Sequence, residues 1–109
     1  MIARRNRVRV QFFPEKSRLI SNDPFFSVRS APNNLSFNRL GAVIGKRVFG
    51  SAVKRNGLKR KIFGVFALKP DFFKEGREGR DFVFFAKPGV RNLTGEKLLE
   101  QINQYVQLI

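Results

Sequence analysis

A β-strand turns successive side chains to opposite faces, so a segment apolar at consecutive positions must be covered on both sides. Residues 81–86 are such a segment: after Asp81 come Phe82, Val83, Phe84, Phe85 and Ala86. It is expected at the centre of a sheet. The remaining chain must supply its neighbours and its cover. A chain of 109 residues makes one domain with a single modest core. The reading is a single domain over residues 1–109, with 1–11 a basic arm.

Around that strand the pattern is mixed. Pro14 to Ile20 suits a short helix, with Pro at the first helical position and Glu15 in the first turn. Residues 21–24 read as a turn, and Phe25 to Ser30 as a strand ended by the turn Ala31-Pro32-Asn33-Asn34. Arg39 to Ile44 reads as the next strand, close enough to pair with the previous one as a hairpin. Gly50-Ser51 opens a helix running to about Phe66, in which Leu58, Ile62, Val65 and Phe66 form one apolar stripe. Residues 71–81 form a polar loop. Thr94 is the candidate cap of a last helix carrying Leu98, Leu99, Ile102, Tyr105, Val106 and Ile109 on one stripe. The order helix, strand, strand, helix, strand, helix gives an α+β, two-layer α-β sandwich. Thirteen Phe stand against one Tyr and no Trp. Most of these rings are expected in the core, with a minority left as stacking platforms for unpaired bases.

Charge constrains the partner. The formal net charge is +14, and no Asp or Glu occurs between Asp23 and Asp71. Within residues 46–61 stand Lys46, Arg47, Lys54, Arg55, Lys59, Arg60 and Lys61, with no acid among them. Concentrated positive charge repels itself unless a polyanion relieves it, and phosphates are the usual relief. Arg grips phosphate oxygens as a planar fork, whereas Lys acts as a mobile point charge. Asn56, between basic residues, can hydrogen-bond a ribose or a phosphate.

Other chemistry is poorly provided for. No His is present, so the usual neutral-pH general base is missing. No Cys is present, which removes disulfides and thiolate metal sites and makes the cytoplasm the default compartment. The eight carboxylates fall mostly in one loop or on an exposed helix face, unlike a convergent metal site. The expectation is therefore no catalytic residue, no metal ligand and no cofactor held by the polypeptide. No apolar run reaches the ~18 residues of a membrane span. The basic N-terminus lacks the apolar stretch of a secretory signal.

The order of residues is more specific than their charge. Arg39-Leu40-Gly41-Ala42-Val43-Ile44-Gly45-Lys46-Arg47-Val48, followed by Gly50-Ser51-Ala52-Val53-Lys54-Arg55-Asn56-Gly57-Leu58-Lys59-Arg60, resembles the bacterial ribonuclease P protein component. That family has a strand ending in Ser-Lys-Lys or Ser-Lys-Arg, a Gly-x-Ala-Val turn, and a helix bearing Arg-Asn-Arg-x-Lys-Arg. A loop, a hydrophobic strand ending in Ala-x-Pro and a closing helix follow. The resemblance covers about residues 25–109. Gly57 stands where the family has the second Arg of its motif, and Phe63 where it usually has another Arg. Gly45 replaces Ser, and Phe49 is one extra residue in the turn.

The resemblance implies a small central mixed sheet packed by helices, with a left-handed βαβ crossover at the basic helix, as in ribosomal-protein-like folds. It also implies the protein subunit of ribonuclease P, a monomeric protein that binds the catalytic RNA and the 5′ leader of precursor tRNA. The RNA then carries the catalysis and the magnesium ions. Lys46, Arg47, Lys54, Arg55, Asn56, Lys59, Arg60 and Lys61 are the candidate contacts to RNA. Phe12, Phe13, Phe25 and Arg29 are the candidates for the leader. A non-catalytic RNA-binding protein of ribosomal type with the same fold is the alternative.

Overall fold

The computed structural model describes residues 3–109, the side chain of Phe12 excepted. Four strands form one sheet: β1 (Arg18–Asn22), β2 (Phe26–Pro32), β3 (Arg39–Val43) and β4 (Arg80–Ala86), in the spatial order β1-β2-β4-β3. The helices are α1 (Ala52–Ala67) and α2 (Gly95–Leu108). β1–β2 and β2–β4 are antiparallel and β3–β4 is parallel, so the sheet is mixed and β3-α1-β4 is its parallel crossover.

β4 takes the interior position that its two apolar faces demand. Phe82 and Phe84 point to one face with Phe26, Val28, Leu40 and Ala42, and all six are buried. Leu58, Ile62, Val65 and Phe66 of α1 join Leu98, Ile102 and Tyr105 of α2 in the same cluster. Edge-on ring pairs run through it: Phe26–Phe84 at 5.8 Å, Phe66–Phe84 at 5.7 Å and Phe84–Tyr105 at 5.5 Å. Each such pair adds about 0.5–1.5 kcal/mol beyond the burial of its area. On the other face, Val83 is fully buried although both helices lie elsewhere. The N-terminal arm provides cover there. A Cβ placed on Gly41 would lie 3.1 Å from Val8, 3.4 Å from Val10 and 3.5 Å from Val83, so the missing side chain lets the arm sit down on β3.

Three expectations are corrected. Residues 14–20 do not form a helix; Arg18 to Ile20 belong to β1. The reason is the turn that follows. Asp23 Oδ1 accepts hydrogen bonds from the N–H groups of Phe25 (2.8 Å) and Phe26 (2.9 Å), closing a β1–β2 hairpin. Strand pairing along that hairpin outweighs the local helix-start signal at Pro14.

Second, β2 and β3 do not pair, because β4 lies between them. Their connection spreads around Gly79, whose N–H donates to Leu35 O at 2.8 Å. A Cβ on Gly79 would fall 2.2 Å from Phe37 O, so only glycine fits. Third, the segment after Pro70 is not wholly polar. Phe72 and Phe73 pack against the core from a 3₁₀ turn.

The hairpin turn is also tied to α2. Tyr105 donates its hydroxyl proton to Asp23 Oδ2 at 2.5 Å, and Gln101 Nε2 lies 3.4 Å from the same oxygen. Burial pushes the Asp23 carboxyl up, but bonds from Tyr105, Phe26 and Phe25 and the charge of Lys87 together hold it below its usual range. Burial, then the bond to Asp23, pushes the Tyr105 phenol well above its usual value. Thr94 occupies the position before α2 with extended backbone, but its side chain makes no capping bond.

Candidate nucleic-acid interface

Every cation of the block except the half-buried Arg55 is exposed. Val48 is buried beneath the turn that precedes α1, so its neighbours Lys46 and Arg47 project outward and are exposed. Ser51 then caps α1, its hydroxyl accepting from Lys54 N at 3.4 Å. Arg55 has a structural duty here. Its Nη1 donates to the carbonyls of Phe49 and Gly50, both at 2.8 Å, locking the turn to the first coil of the helix. Lys54, Lys59, Arg60 and Lys61 are exposed, as is Asn56. The first turn of α1 carries no acid. The ion pairs among the described residues, Arg5–Glu75 and Arg39–Asp81, involve none of these cations.

The buried stripe divides the helix surface into two flanks. Lys54 and Lys61, with Phe49, Gly57, Arg91 and Thr94, line a groove of about 390 Å³ against the start of α2. Asn56, Lys59, Arg60, Phe63 and Gly64 line one of about 480 Å³ on the other side, and Arg7 of the arm completes it. Gly57 faces open space; a Cβ there would meet nothing within 4 Å. Phe63 is buried, with the Arg7 guanidinium 5.5 Å from its ring centroid.

The arm is an ordered part of this surface. Arg7 bridges to Leu40 beside β3, Val8 N donates to Leu40 O at 2.9 Å, and buried Asn6 donates through Nδ2 to Asn38 O at 3.1 Å. The arm is strand-like for this one bridge only. Arg4, Arg5, Arg7 and Arg9 line a further groove of about 620 Å³ with Arg39. Two of the five are already committed. Arg5 pairs with Glu75 at 2.7 Å and stacks on Phe37. Arg39 forms a double hydrogen bond to buried Asp81, Nε to Oδ1 at 2.8 Å and Nη2 to Oδ2 at 2.7 Å. That bonding raises the guanidinium above its usual value against the effect of burial.

The leader candidates are not gathered in one place. Phe12 lies outside the described side chains. Phe13 is half-buried at the end of the arm. Phe25 packs against the helix-side core, whereas Arg29 pairs with Val83 on the opposite face of the sheet. Arg29 Nη1 donates to Ser17 O at 3.0 Å. On that same face, half-buried Phe85 stands in register with Ser27 and Val43. Phe85 was open to discovery from alternation with Phe84. Arg7 was not, because its partner ring lies 56 residues further along the chain. Among the described residues, no group of three or more acidic, His or Cys side chains stands together as a metal site. No helix among them is long and apolar enough to cross a membrane.

A family profile described as Ribonuclease P matches residues 5–109. The ribonuclease P protein component of Petrotoga mobilis is 36% identical over 98 residues, spanning 89% of this chain and 78% of the relative. That of Enterococcus faecalis is 31% identical over 99 residues, spanning 90% of this chain and 79% of the relative. Among solved structures, the RNase P protein from Thermotoga maritima in complex with 1-(4-fluorophenyl)-2-thiourea superposes with a TM-score of 0.75. It shares 22% identity, over 94% of this chain and 99% of that one. The Staphylococcus aureus RNase P protein gives a TM-score of 0.72 at 22% identity, over 94% and 89%. The two structural likenesses concern the fold.

Proposed function

The chain belongs to the bacterial ribonuclease P protein family, and on that premise we propose how it serves the ribonucleoprotein endonuclease of which such proteins are a component. Its RNA subunit is held chiefly by the cation surface of α1 and the preceding turn. The observation that carries this reading is that Lys46, Arg47, Lys54, Lys59, Arg60 and Lys61 are all exposed on α1 and the turn before it, on both flanks of the helix, with no ion pair to an acid. Asn56 adds a donor and acceptor between them. Arg55 contributes mainly by fixing the turn, with its remaining donors turned to RNA.

On this proposal the polypeptide does no bond-breaking chemistry itself, a view supported by the lack of His in the sequence and of any acidic cluster among the described residues. In this reading the RNA subunit performs the cleavage with the magnesium ions it binds. The protein works in the cytoplasm as a monomer and improves the grip on precursor tRNA. The 5′ leader runs along the sheet face opposite the helices, where Arg29 and Phe85 stand, with Phe13 at its border. A Phe ring stacks on any base, so the contact tolerates sequence and contributes about 1–3 kcal/mol per stacked base. Phe25 takes no direct part, because it packs on the helix side.

Precursor-tRNA cleavage by a transcribed bacterial ribonuclease P RNA at low magnesium tests the proposal. Adding this chain is expected to raise the cleavage rate, while the protein freed of RNA cleaves nothing. Cleavage by the RNA-free protein, or no stimulation of the RNA, would overturn it.

A further inference from the structure

Arg7 occupies an unusual place. It comes from the arm, yet it closes the α1 groove lined by Asn56, Lys59, Arg60, Phe63 and Gly64. Its guanidinium lies over the Phe63 ring at 5.5 Å. Its Nε is buried and has no acceptor among the described residues. No acid pairs with Arg7 there either, unlike Arg5 and Arg39. The ring, not a carboxylate, therefore holds this cation in place.

Stacking uses the face of a guanidinium and leaves its edge free; with Nε buried, the donors left for a ligand are those of the two Nη groups. Those donors match the oxygens of a phosphodiester in a bidentate arrangement. The backbone around Arg7 is fixed from both sides, by Asn6 on Asn38 and by Val8 on Leu40. The guanidinium is thus presented from a rigid support. The groove volume of about 480 Å³ falls within the usual range of ligand clefts, about 300–1,000 Å³.

We propose that Arg7, stacked on Phe63, forms with Asn56, Lys59 and Arg60 a subsite for one backbone phosphate of the RNA partner. This rests on the RNA-binding role proposed above and extends it. Position 63 is where the resembled motif carries an Arg. In this chain the cation reaches the same groove from the arm, and Phe63 acts as its positioning residue. Arg7 also lines the neighbouring groove with Arg4, Arg9 and Arg39, so the RNA backbone has a path from α1 onto the arm.

The test measures binding to a transcribed bacterial ribonuclease P RNA across a salt series. The proteins are the parent, Arg7→Ala, Phe63→Leu and the double variant, each checked by thermal melting. Arg7→Ala is expected to weaken binding about tenfold and to flatten the log–log salt slope by roughly 0.7–0.9, the loss of one phosphate contact. Phe63→Leu keeps an apolar side chain but removes the ring, and is expected to weaken binding about two- to fivefold. The double variant should bind within about twofold of Arg7→Ala, because the ring acts through that arginine.

If the parent fails to bind, the proposed function falls and this subsite with it. If the parent binds and Arg7→Ala leaves affinity and slope unchanged, only the subsite falls. A double variant weaker than Arg7→Ala by the full Phe63→Leu factor would show the ring acting on RNA itself and would overturn the pairing. Should Phe63→Leu fail to fold, the Arg7→Ala slope decides alone.

Discussion

Gly57→Arg restores the residue that the family motif carries, and the structure lets its consequences be worked out. Glycine inside a helix is about 0.8–1.0 kcal/mol less favourable than alanine, whereas arginine ranks near the top of the scale. The substitution meets no steric barrier, since a Cβ at Gly57 finds no atom within 4 Å. The new guanidinium stands three residues after Lys54, three before Arg60 and four before Lys61. Each like-charge neighbour at such spacing costs about 0.2–0.5 kcal/mol.

Three such pairs, about 1 kcal/mol together, nearly cancel the propensity gain at low salt. High salt screens the repulsion and leaves the gain. The melting temperature of Gly57→Arg should then match the parent at low salt and exceed it by about 4 °C in 1 M salt. RNA binding should strengthen, with a salt slope steeper by roughly 0.7–0.9 for one added phosphate contact. Melting at two salt concentrations and filter binding to ribonuclease P RNA read both effects. Weaker RNA binding by a variant that melts as expected would refute the reasoning and mean that the RNA backbone approaches α1 closely at Gly57.

Other expectations follow from single contacts. Gly79→Ala forces a Cβ against Phe37 O and should destabilise by about 1–3 kcal/mol, measured by urea unfolding. Arg39→Met leaves the Asp81 carboxylate buried with Asn33 as its remaining side-chain donor, and should cost about 3 kcal/mol. The same measurement on Arg39→Met with Asp81→Leu should recover much of that loss. Asp23 is held below its usual range in the folded state, so its contribution is complete above pH 3.8. It is lost as pH falls from there through the lowered value. Tyr105 is shifted upward, so its contribution is complete below pH 10 and is lost as pH rises beyond that. Asp23→Asn should flatten the acid limb of a stability–pH profile, and Tyr105→Phe the alkaline limb.

What could be read in advance depended on how local its cause was. The central strand followed from consecutive apolar residues at 82–86, and α1 from the spacing of Leu58, Ile62, Val65 and Phe66. The cation surface followed from the same helix, because its turns fix which side chains share a flank. The first strand was missed for the opposite reason. Pro14 and Glu15 carry a local helix signal, while β1 exists because Asp23 captures two backbone N–H groups and β2 offers a pairing edge. The expected β2–β3 hairpin failed because adjacency in sequence says nothing of a third strand arriving forty residues later. Arg55 looks like any cation of the block until its Nη1 is seen on the Phe49 and Gly50 carbonyls. The partnership of Arg7 with Phe63 has no local signature at all, since it requires the arm to lie along β3.

The central claim is that the exposed cations of α1 are the principal contact to the RNA subunit. The most direct measurement is the salt dependence of binding to ribonuclease P RNA, comparing the parent with a variant carrying Lys54, Lys59, Arg60 and Lys61 all changed to Gln. These side chains are exposed, so the variant should melt close to the parent. With each lost phosphate contact worth roughly 0.7–0.9 in the log–log slope, a decrease of about 3 is predicted for the four substitutions. An unchanged slope in a folded variant would contradict the account and move the RNA interface elsewhere on the molecule.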